Sequence, residues 1–282
     1  MTDMDTYLSS LLVTHPLVAP TTCAAIQALQ LPVASRGLDA GCGIGLQALQ
    51  LAQAVGPAGH ITGLDLSPQF VAYGSELVKK AGLSQQISFQ EGDVRALPFD
   101  DDSFDWAWSA DCVGYAPLEP LSLVQELARV VKPGGTVAIL AWSSQMLLPG
   151  HPLLEARLNA TSAGIAPFII GKKPEAHFVL GLGWFREAGL EQRGAQTFVG
   201  TACAPLSDDL YRALVALIEM RWPGAEVEVS PEDRAEFERL CRPQSPDFVL
   251  NHPDYYAFFT YSMFRGRVAG RFSSGHSSLA NE

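Results

Sequence analysis

The stretch Asp39-Ala40-Gly41-Cys42-Gly43-Ile44-Gly45 constrains this chain more than any other. Three glycines at alternate positions stand between two patterns of different period. Residues 36–40 before them read as a short buried strand. After them Leu46, Leu49, Ala52 and Val55 recur at helical spacing until Gly56-Pro57 ends the run. Glycine allows the tight strand-to-helix turn and lets a ligand lie against the backbone, where N–H groups at the helix start receive an anion. The dinucleotide fingerprint needs G-x-G-x-x-G. Here the third glycine comes one residue early and Leu46 follows it. This G-x-G-x-G spacing suits a small anion such as a carboxylate better than a pyrophosphate.

The same alternation continues. Residues 60–66 read as a strand, and Ser67-Pro68 as an N-cap with proline at the first helical position. That helix buries Phe70, Leu77 and Val78 and stops at Gly82. Strands follow at 87–90 and 104–109, a helix at 121–131 and a strand at 136–142. Strands joined by helix-length connections make a parallel sheet covered on both faces. After Trp142 the rhythm changes. Residues 143–183 are irregular and Pro/Gly-rich, 183–189 resemble a short helix, and 191–200 a strand. Ser207 and Ser230 start two helices, and 255–268 are aromatic and β-branched enough for a last strand. The lead, 1–35, is helical only from 21 to 31.

Two acids stand where such a sheet binds ligands. Asp65, in Gly63-Leu64-Asp65-Leu66-Ser67, ends the second strand and can accept hydrogen bonds from ribose hydroxyls; capping the next helix is its plain alternative. Glu91-Gly92-Asp93-Val94 ends the third strand, where an acid can take the exocyclic amine of an adenine. Ligands in open α/β sheets sit beyond the carboxyl ends of the strands, so loop and acids converge on one crevice. Cys42 reads as a small apolar residue packed behind the turn, and the run 100–102 as a solvated acidic turn.

The stretches LDAGCGIG, GLDLS, GDVRALPFDDDSFD and LARVVKPGG together resemble class I S-adenosylmethionine-dependent methyltransferases of the type found in ubiquinone and menaquinone biosynthesis. The resemblance covers 36–142 closely and 183–200 loosely. It implies a Rossmann-like α/β fold: a doubly wound, mostly parallel seven-stranded sheet with an N-terminal helical cap and a largely helical late insert. The segments are then 1–35 cap, 36–142 cofactor-binding core, 143–255 substrate-side insert with a late helix and strand of the core, 256–269 last core strand and 270–282 disordered tail. It also implies roles. Asp39, Ala40 and the backbone of Gly41, Gly43 and Gly45 hold the methionine end of S-adenosylmethionine. Asp65 holds the ribose and Leu66 packs on the adenine. Gly92, Asp93 and Val94 read its amine, and Ser109 and Ala110 line the methionine side.

Methyl transfer from a sulfonium is an in-line displacement, and alignment carries much of it. A base helps when the acceptor must lose a proton. The candidates are Asp111, just past the fourth strand, and His151, in Leu148-Pro149-Gly150-His151-Pro152. Tyr115 reads as a wall rather than a base, and nothing fixes the direction of Tyr7 or His15. No metal-ligand spacing occurs, so no metal is expected. The acceptor site is expected between the N-terminal segment, the loop after the fourth strand and the insert.

Composition narrows the partner. Asp plus Glu number 30 against 19 Lys plus Arg, a net charge of −11, which opposes nucleic acid. A partly apolar small molecule is favoured, and a homodimer is left open. Five cysteines without a CxxC suit a reducing cytoplasm rather than a disulfide framework. The N-terminus lacks the basic start of a signal peptide, and no apolar run approaches the ~20 residues of a membrane span. Two rivals stay open: a non-catalytic cofactor-binding sensor or structural protein, and a nucleotide-dependent oxidoreductase, against which Leu46 argues.

Overall fold

The computed structural model describes residues 3–112, 119–169 and 174–270 of the chain. Seven strands form one sheet: β1 (Arg36–Ala40), β2 (His60–Asp65), β3 (Ile87–Glu91), β4 (Phe104–Ala110), β5 (Val131–Met146), β6 (Glu191–Cys203) and β7 (Tyr256–Arg267). Their spatial order is β3-β2-β1-β4-β5-β7-β6. The first five run parallel, and β7 inserts antiparallel to both β5 and β6. The strand order reverses between β1 and β4, so a crevice opens beyond their carboxyl ends.

Buried residues explain why these segments are strands. β1 is covered on both faces, and all but its first residue are buried. Gly37 is needed there because a Cβ would fall 2.0 Å from the Trp106 ring. One face packs Trp106, Trp108, Leu140 and Met263 under α1 (Asp3–Ala28), α2 (Leu46–Val55) and α8 (Asp208–Arg221). The other packs Leu38, Ala107, Val137 and Phe264 under α4 (Pro120–Val130) and α7 (Gly181–Glu187). Between these, α3 (Pro68–Lys80) starts as expected: the Ser67 side chain accepts from Phe70 N–H and Pro68 opens the helix.

Three expectations change. The N-terminal helix begins at Asp3, not near 21, and runs through Pro16 and Pro20. Each proline removes a helix hydrogen bond; burial of Leu17, Ala25 and Ile26 against the core offsets that loss. Over Tyr7–Ala28 this helix is long and apolar enough by composition to cross a membrane, contrary to the sequence expectation. In the fold its apolar residues pack on α2, α8 and the sheet. Second, β5 extends through Lys132-Pro133-Gly134-Gly135 and on to Met146, because β7 pairs with it as far as Met146↔Phe258. Third, the stretch read as irregular contains α5 (Pro152–Asn159) and α6 (Ser162–Ile169), and with α9 (Pro231–Cys241) they make the late insert largely helical. The tail expected to be disordered and Tyr115 lie outside the described residues, apart from Gly270.

Candidate functional site

The glycine loop is clamped onto β2. Gly41 and Cys42 N–H both donate to Leu64 O, at 2.8 and 3.0 Å, and Gly45 N–H donates to Cys42 O at 3.0 Å. Gly41 and Gly45 have φ of +75° and +80°, which side-chain-bearing residues rarely adopt. They are also pressed: a Cβ on Gly41 would lie 2.7 Å from Cys112 Sγ, and one on Gly45 2.5 Å from the Phe89 ring. Gly43 differs, since a Cβ there would meet nothing within 4 Å. It is the loop's open side, and it faces the cavity described below.

Asp65 belongs to this loop. Its Oδ2 accepts Gly43 N–H at 2.8 Å and its Oδ1 accepts Ser67 N–H at 2.9 Å. The α3 cap is supplied by Ser67, so Asp65 is not the helix cap. A carboxylate accepts about four hydrogen bonds, and two backbone donors leave capacity for hydroxyls. Beneath the loop, Asp39 is 2 % exposed and its Oδ2 has no hydrogen-bond partner. Burial, helped by the Asp65 charge, pushes its carboxyl up to about 7. A buried oxygen without a donor is costly, and it marks a place that a cationic or N–H-bearing group would satisfy.

The loop forms one end of a cavity of about 750 Å³. Asp65, Ala110, Asp111 and Cys112 line the same end. The remaining wall comes from outside the core motifs: Tyr7 and His15 from α1, Met220 and Arg221 from α8, Trp142 from β5 and Tyr261 from β7. The N-terminal segment and the insert therefore meet over the loop, as α1 packs on α8. Burial depresses the His15 imidazole below its usual value. Burial raises the Tyr7 phenol, with the charges of Asp111 and Asp65 adding to it.

Asp111 stands in the left-handed region, φ +49°, pinned by its N–H to Leu140 O at 2.8 Å. Its Oδ1 accepts Trp142 N–H at 2.9 Å, and the Tyr261 hydroxyl donates to it. The residue keeps accessible surface on the cavity while protein encloses it on the other sides. That enclosure raises the carboxyl to about 6 against the two hydrogen bonds, which lower it.

Other expected residues stand elsewhere. His151 is not on the cavity wall. Because β5 runs on to Met146 and Leu147 and Leu148 are buried in the core, the turn that follows carries His151 past the crevice. Its Nδ1 meets Glu236 Oε1 on α9 at 2.8 Å. Ser109 is buried and donates to Ala40 O at 2.7 Å, stitching β4 to β1 rather than lining the cavity. On the adenine side, Leu66 is 65 % exposed beside the cavity rather than in it. Gly92 N–H donates to Asp65 O at 3.0 Å, which keeps the third strand end next to Asp65. Asp93 is gripped by the Arg95 guanidinium and accepts Arg95 N–H at 2.9 Å, which holds its carboxyl below the usual range. Val94 packs against the core under α4. The loop, Asp65, Ala110 and Asp111 thus share one cavity, while Leu66, Asp93 and Val94 lie outside it.

Trp142, Tyr261 and Arg221 were not singled out from the sequence. For Trp142 a signal existed, since it closes an expected strand whose parallel neighbour ends at Ala110. Nothing local marks Tyr261 or Arg221.

Comparison with known proteins gives a family match over the core and a shared fold. Residues 38–135 match a family described as a methyltransferase domain. Over 114 residues the chain is 38% identical to the demethylmenaquinone methyltransferase of Bacillus cytotoxicus, covering 40% of this chain and 47% of that one. Over 171 residues it is 30% identical to the 27-O-demethylrifamycin SV methyltransferase of Amycolatopsis mediterranei, covering 60% and 58%. The matches thus span about half the length of these relatives. Among solved structures, the YcgJ protein of Bacillus subtilis has the same fold, with a TM-score of 0.55 at 18% identity over 89% of this chain and 99% of that one.

Proposed function

We propose that this chain, whose residues 38–135 match a methyltransferase-domain family, is a class I S-adenosylmethionine-dependent methyltransferase that transfers a methyl group from S-adenosylmethionine to a small-molecule acceptor. The observation that carries the reading is the meeting of the glycine loop, Asp65 and Asp111 at one end of a cavity walled by α1 and α8. The residues fit the cofactor. The open side of the glycine loop, at Gly43, offers the place for the methionine end, with the buried Asp39 enclosed beneath it rather than on the cavity wall. Asp65 offers its remaining capacity to the ribose hydroxyls, and Leu66 with the 92–94 turn offers the neighbouring place for the adenine.

S-adenosylmethionine supplies an electrophilic methyl group and its own leaving group. The chain's part is to orient the two reactants, exclude water and accept a proton. Alignment contributes through effective molarity. Asp111, held by Trp142 N–H and the Tyr261 hydroxyl, is the proton acceptor in this reading. A carboxyl near 6 is mostly ionised at neutral pH and still basic enough to take a proton from an acidified hydroxyl. Leu11, Val18, Trp142 and Met220 give the acceptor a largely apolar wall. The two relatives named above carry the names of small-molecule acceptors, which supports that class for this chain. A cytoplasmic location belongs to the same reading, and the five free cysteines suit it.

Titration calorimetry tests the cofactor. S-adenosylmethionine and S-adenosylhomocysteine should bind and NAD should not. Binding of NAD with silence toward the other two would overturn the reading in favour of an oxidoreductase. Cofactor binding without transfer of a radiolabelled methyl group to any member of a metabolite panel would favour the sensor reading instead.

Asp65→Ala should weaken S-adenosylhomocysteine by about 1–3 kcal/mol, the loss of a charged hydrogen-bond acceptor. The fold should survive, because Ser67 caps α3 by itself. A collapsed thermal melt with unchanged affinity would make Asp65 a structural brace of the loop.

A further inference from the structure

One face of α1 is committed to the cavity. Tyr7, Leu11, Thr14, His15, Val18 and Thr22 all line it, at the three- and four-residue spacings that put side chains on one side of a helix. This helix lies outside residues 38–135, which match the methyltransferase-domain family. What it offers belongs to the acceptor side rather than to the cofactor-binding core.

Several polar groups on this wall are already engaged. The Thr14 hydroxyl donates to Ser10 O at 2.8 Å, and that of Thr22 to Gln50 Oε1 at 2.8 Å. Gln47 Oε1 accepts Trp108 Nε1 at 2.7 Å, and the Trp142 indole N–H donates to Gln145 at 3.2 Å. His15 is different. Neither of its ring nitrogens has a hydrogen-bond or ion-pair partner among the described residues. The imidazole is half-buried, and burial alone holds it below its usual value, so it is neutral at pH 7. A neutral imidazole carries one N–H donor and one nitrogen acceptor. A ligand that displaces water from this wall must pair with it or bear the cost of leaving it unpaired.

The position of His15 along the helix sets what it can reach. Tyr7 stands at the loop end: its phenol feels the charges of Asp111 and Asp65, and its ring packs on Phe70 with centroids 6.0 Å apart. His15 comes two helical turns later, about 12 Å along the axis, and feels neither charge. It therefore stands away from the proton acceptor. A ligand that reaches from Asp111 to His15 presents a second group there, not the atom that is methylated.

We propose that His15 is a specificity residue that hydrogen-bonds an uncharged oxygen group of the acceptor, a hydroxyl or carbonyl, carried on an apolar body away from the atom that is methylated. This rests on the methyl-transfer reading above. Leu11, Val18, Trp142 and Met220 supply the apolar wall for that body. A site built to pair with a hydroxyl rejects the analogue that lacks it, because its own polar group is then left unpaired.

The test holds one end of the ligand constant and changes the other. Three diphenols with a hydroxyl at each para end, built on biphenyl, diphenylmethane and diphenylethane, are titrated into the full chain with S-adenosylhomocysteine present. Each is set beside the analogue with methyl in place of one hydroxyl. At least one diphenol should bind about tenfold or more tighter than its analogue, well beyond the advantage of its symmetry. His15→Phe and His15→Met fill the space without a donor or acceptor, and each should erase that difference. Affinity for S-adenosylhomocysteine should stay unchanged in both variants. Equal binding of diphenol and analogue, binding of no diphenol, or a preference that survives in either variant would overturn the assignment. Two variants of different shape keep the test decisive where one of them does not fold. A His15-dependent preference in a protein that binds no S-adenosylhomocysteine would retain the contact and overturn the methyl-transfer reading instead.

Discussion

Gly41→Val is expected to abolish measurable S-adenosylhomocysteine binding, a loss of about a hundredfold or more. Two costs combine. A β-branched residue at φ +75° is strained by about 1–3 kcal/mol. The new Cβ also falls 2.7 Å from Cys112 Sγ and 2.8 Å from Cys112 Cβ, so loop or β4 end must move. Either shift displaces the open side of the loop at Gly43, which lines the cavity. Cys112→Ala in the same chain should recover part of the loss, since it removes the sulfur and leaves the dihedral strain and the contact with the Cβ of residue 112. Gly43→Ala separates the two functions of the loop. Its Cβ meets nothing within 4 Å, so only the strain of φ +53°, about 1–2 kcal/mol, lowers the melting temperature, while the methyl group at the cavity wall lowers affinity. Full affinity in Gly41→Val, measured by calorimetry on folded protein, would remove the loop from the cofactor site.

Asp111→Asn is expected to lower turnover by about 10²–10⁴-fold, the usual contribution of a positioned base, with affinity for S-adenosylhomocysteine unchanged. Asparagine keeps an oxygen for Trp142 N–H, so the fold should hold. The pH dependence follows from the carboxyl near 6. Turnover of the unaltered protein should rise as pH increases through about 6 and then level off, since the ionised form is the active one. The stability effect has the opposite sign. The folded carboxyl is raised above its ordinary 3.8, so between about 4 and 6 the folded state holds more protons than the unfolded one. Stability from this group is therefore lost as pH rises through that window. Asp111→Asn should remove that loss and melt no lower than the unaltered protein at pH 8. A variant with full turnover and an unshifted pH profile would leave alignment alone as the mechanism. A metabolite screen supplies the acceptor that this measurement needs.

Much of the core was legible because its signals are contiguous. The alternation of short buried strands with capped helices lies within 36–142, and each cap or turn is set by residues a few positions apart, such as Ser67 with Phe70 or the three loop glycines. Asp65 was legible in another way: it stands 22 residues from the Gly43 it joins, across α2 and β2, but it closes a strand whose end the sequence marks with Ser67-Pro68. The misreadings arise where neighbours in space are far apart in sequence. The lead was read as helical only from 21 to 31; packing on α8 and the sheet is what carries the helix through Pro16 and Pro20. His151 looked near the crevice because the fifth strand was read as ending at Trp142; its pairing with β7 carries the chain four residues further.

From its sequence alone this chain reads as an α/β protein with a glycine loop between its first strand and helix, an acid closing the next strand, and a spacing that departs from the dinucleotide fingerprint. Those properties reside in local spacing, which backbone conformation translates directly into structure. What surrounds the transferred group was decided by tertiary structure. Asp111 was a candidate base from the sequence, but its hydrogen-bond partners were decided by the sheet, where β5 and β7 bring Trp142 and Tyr261 against it. Insertion of β7 between β5 and β6 follows from burial and pairing across the whole sheet, and no periodicity within one segment encodes which strands it will join.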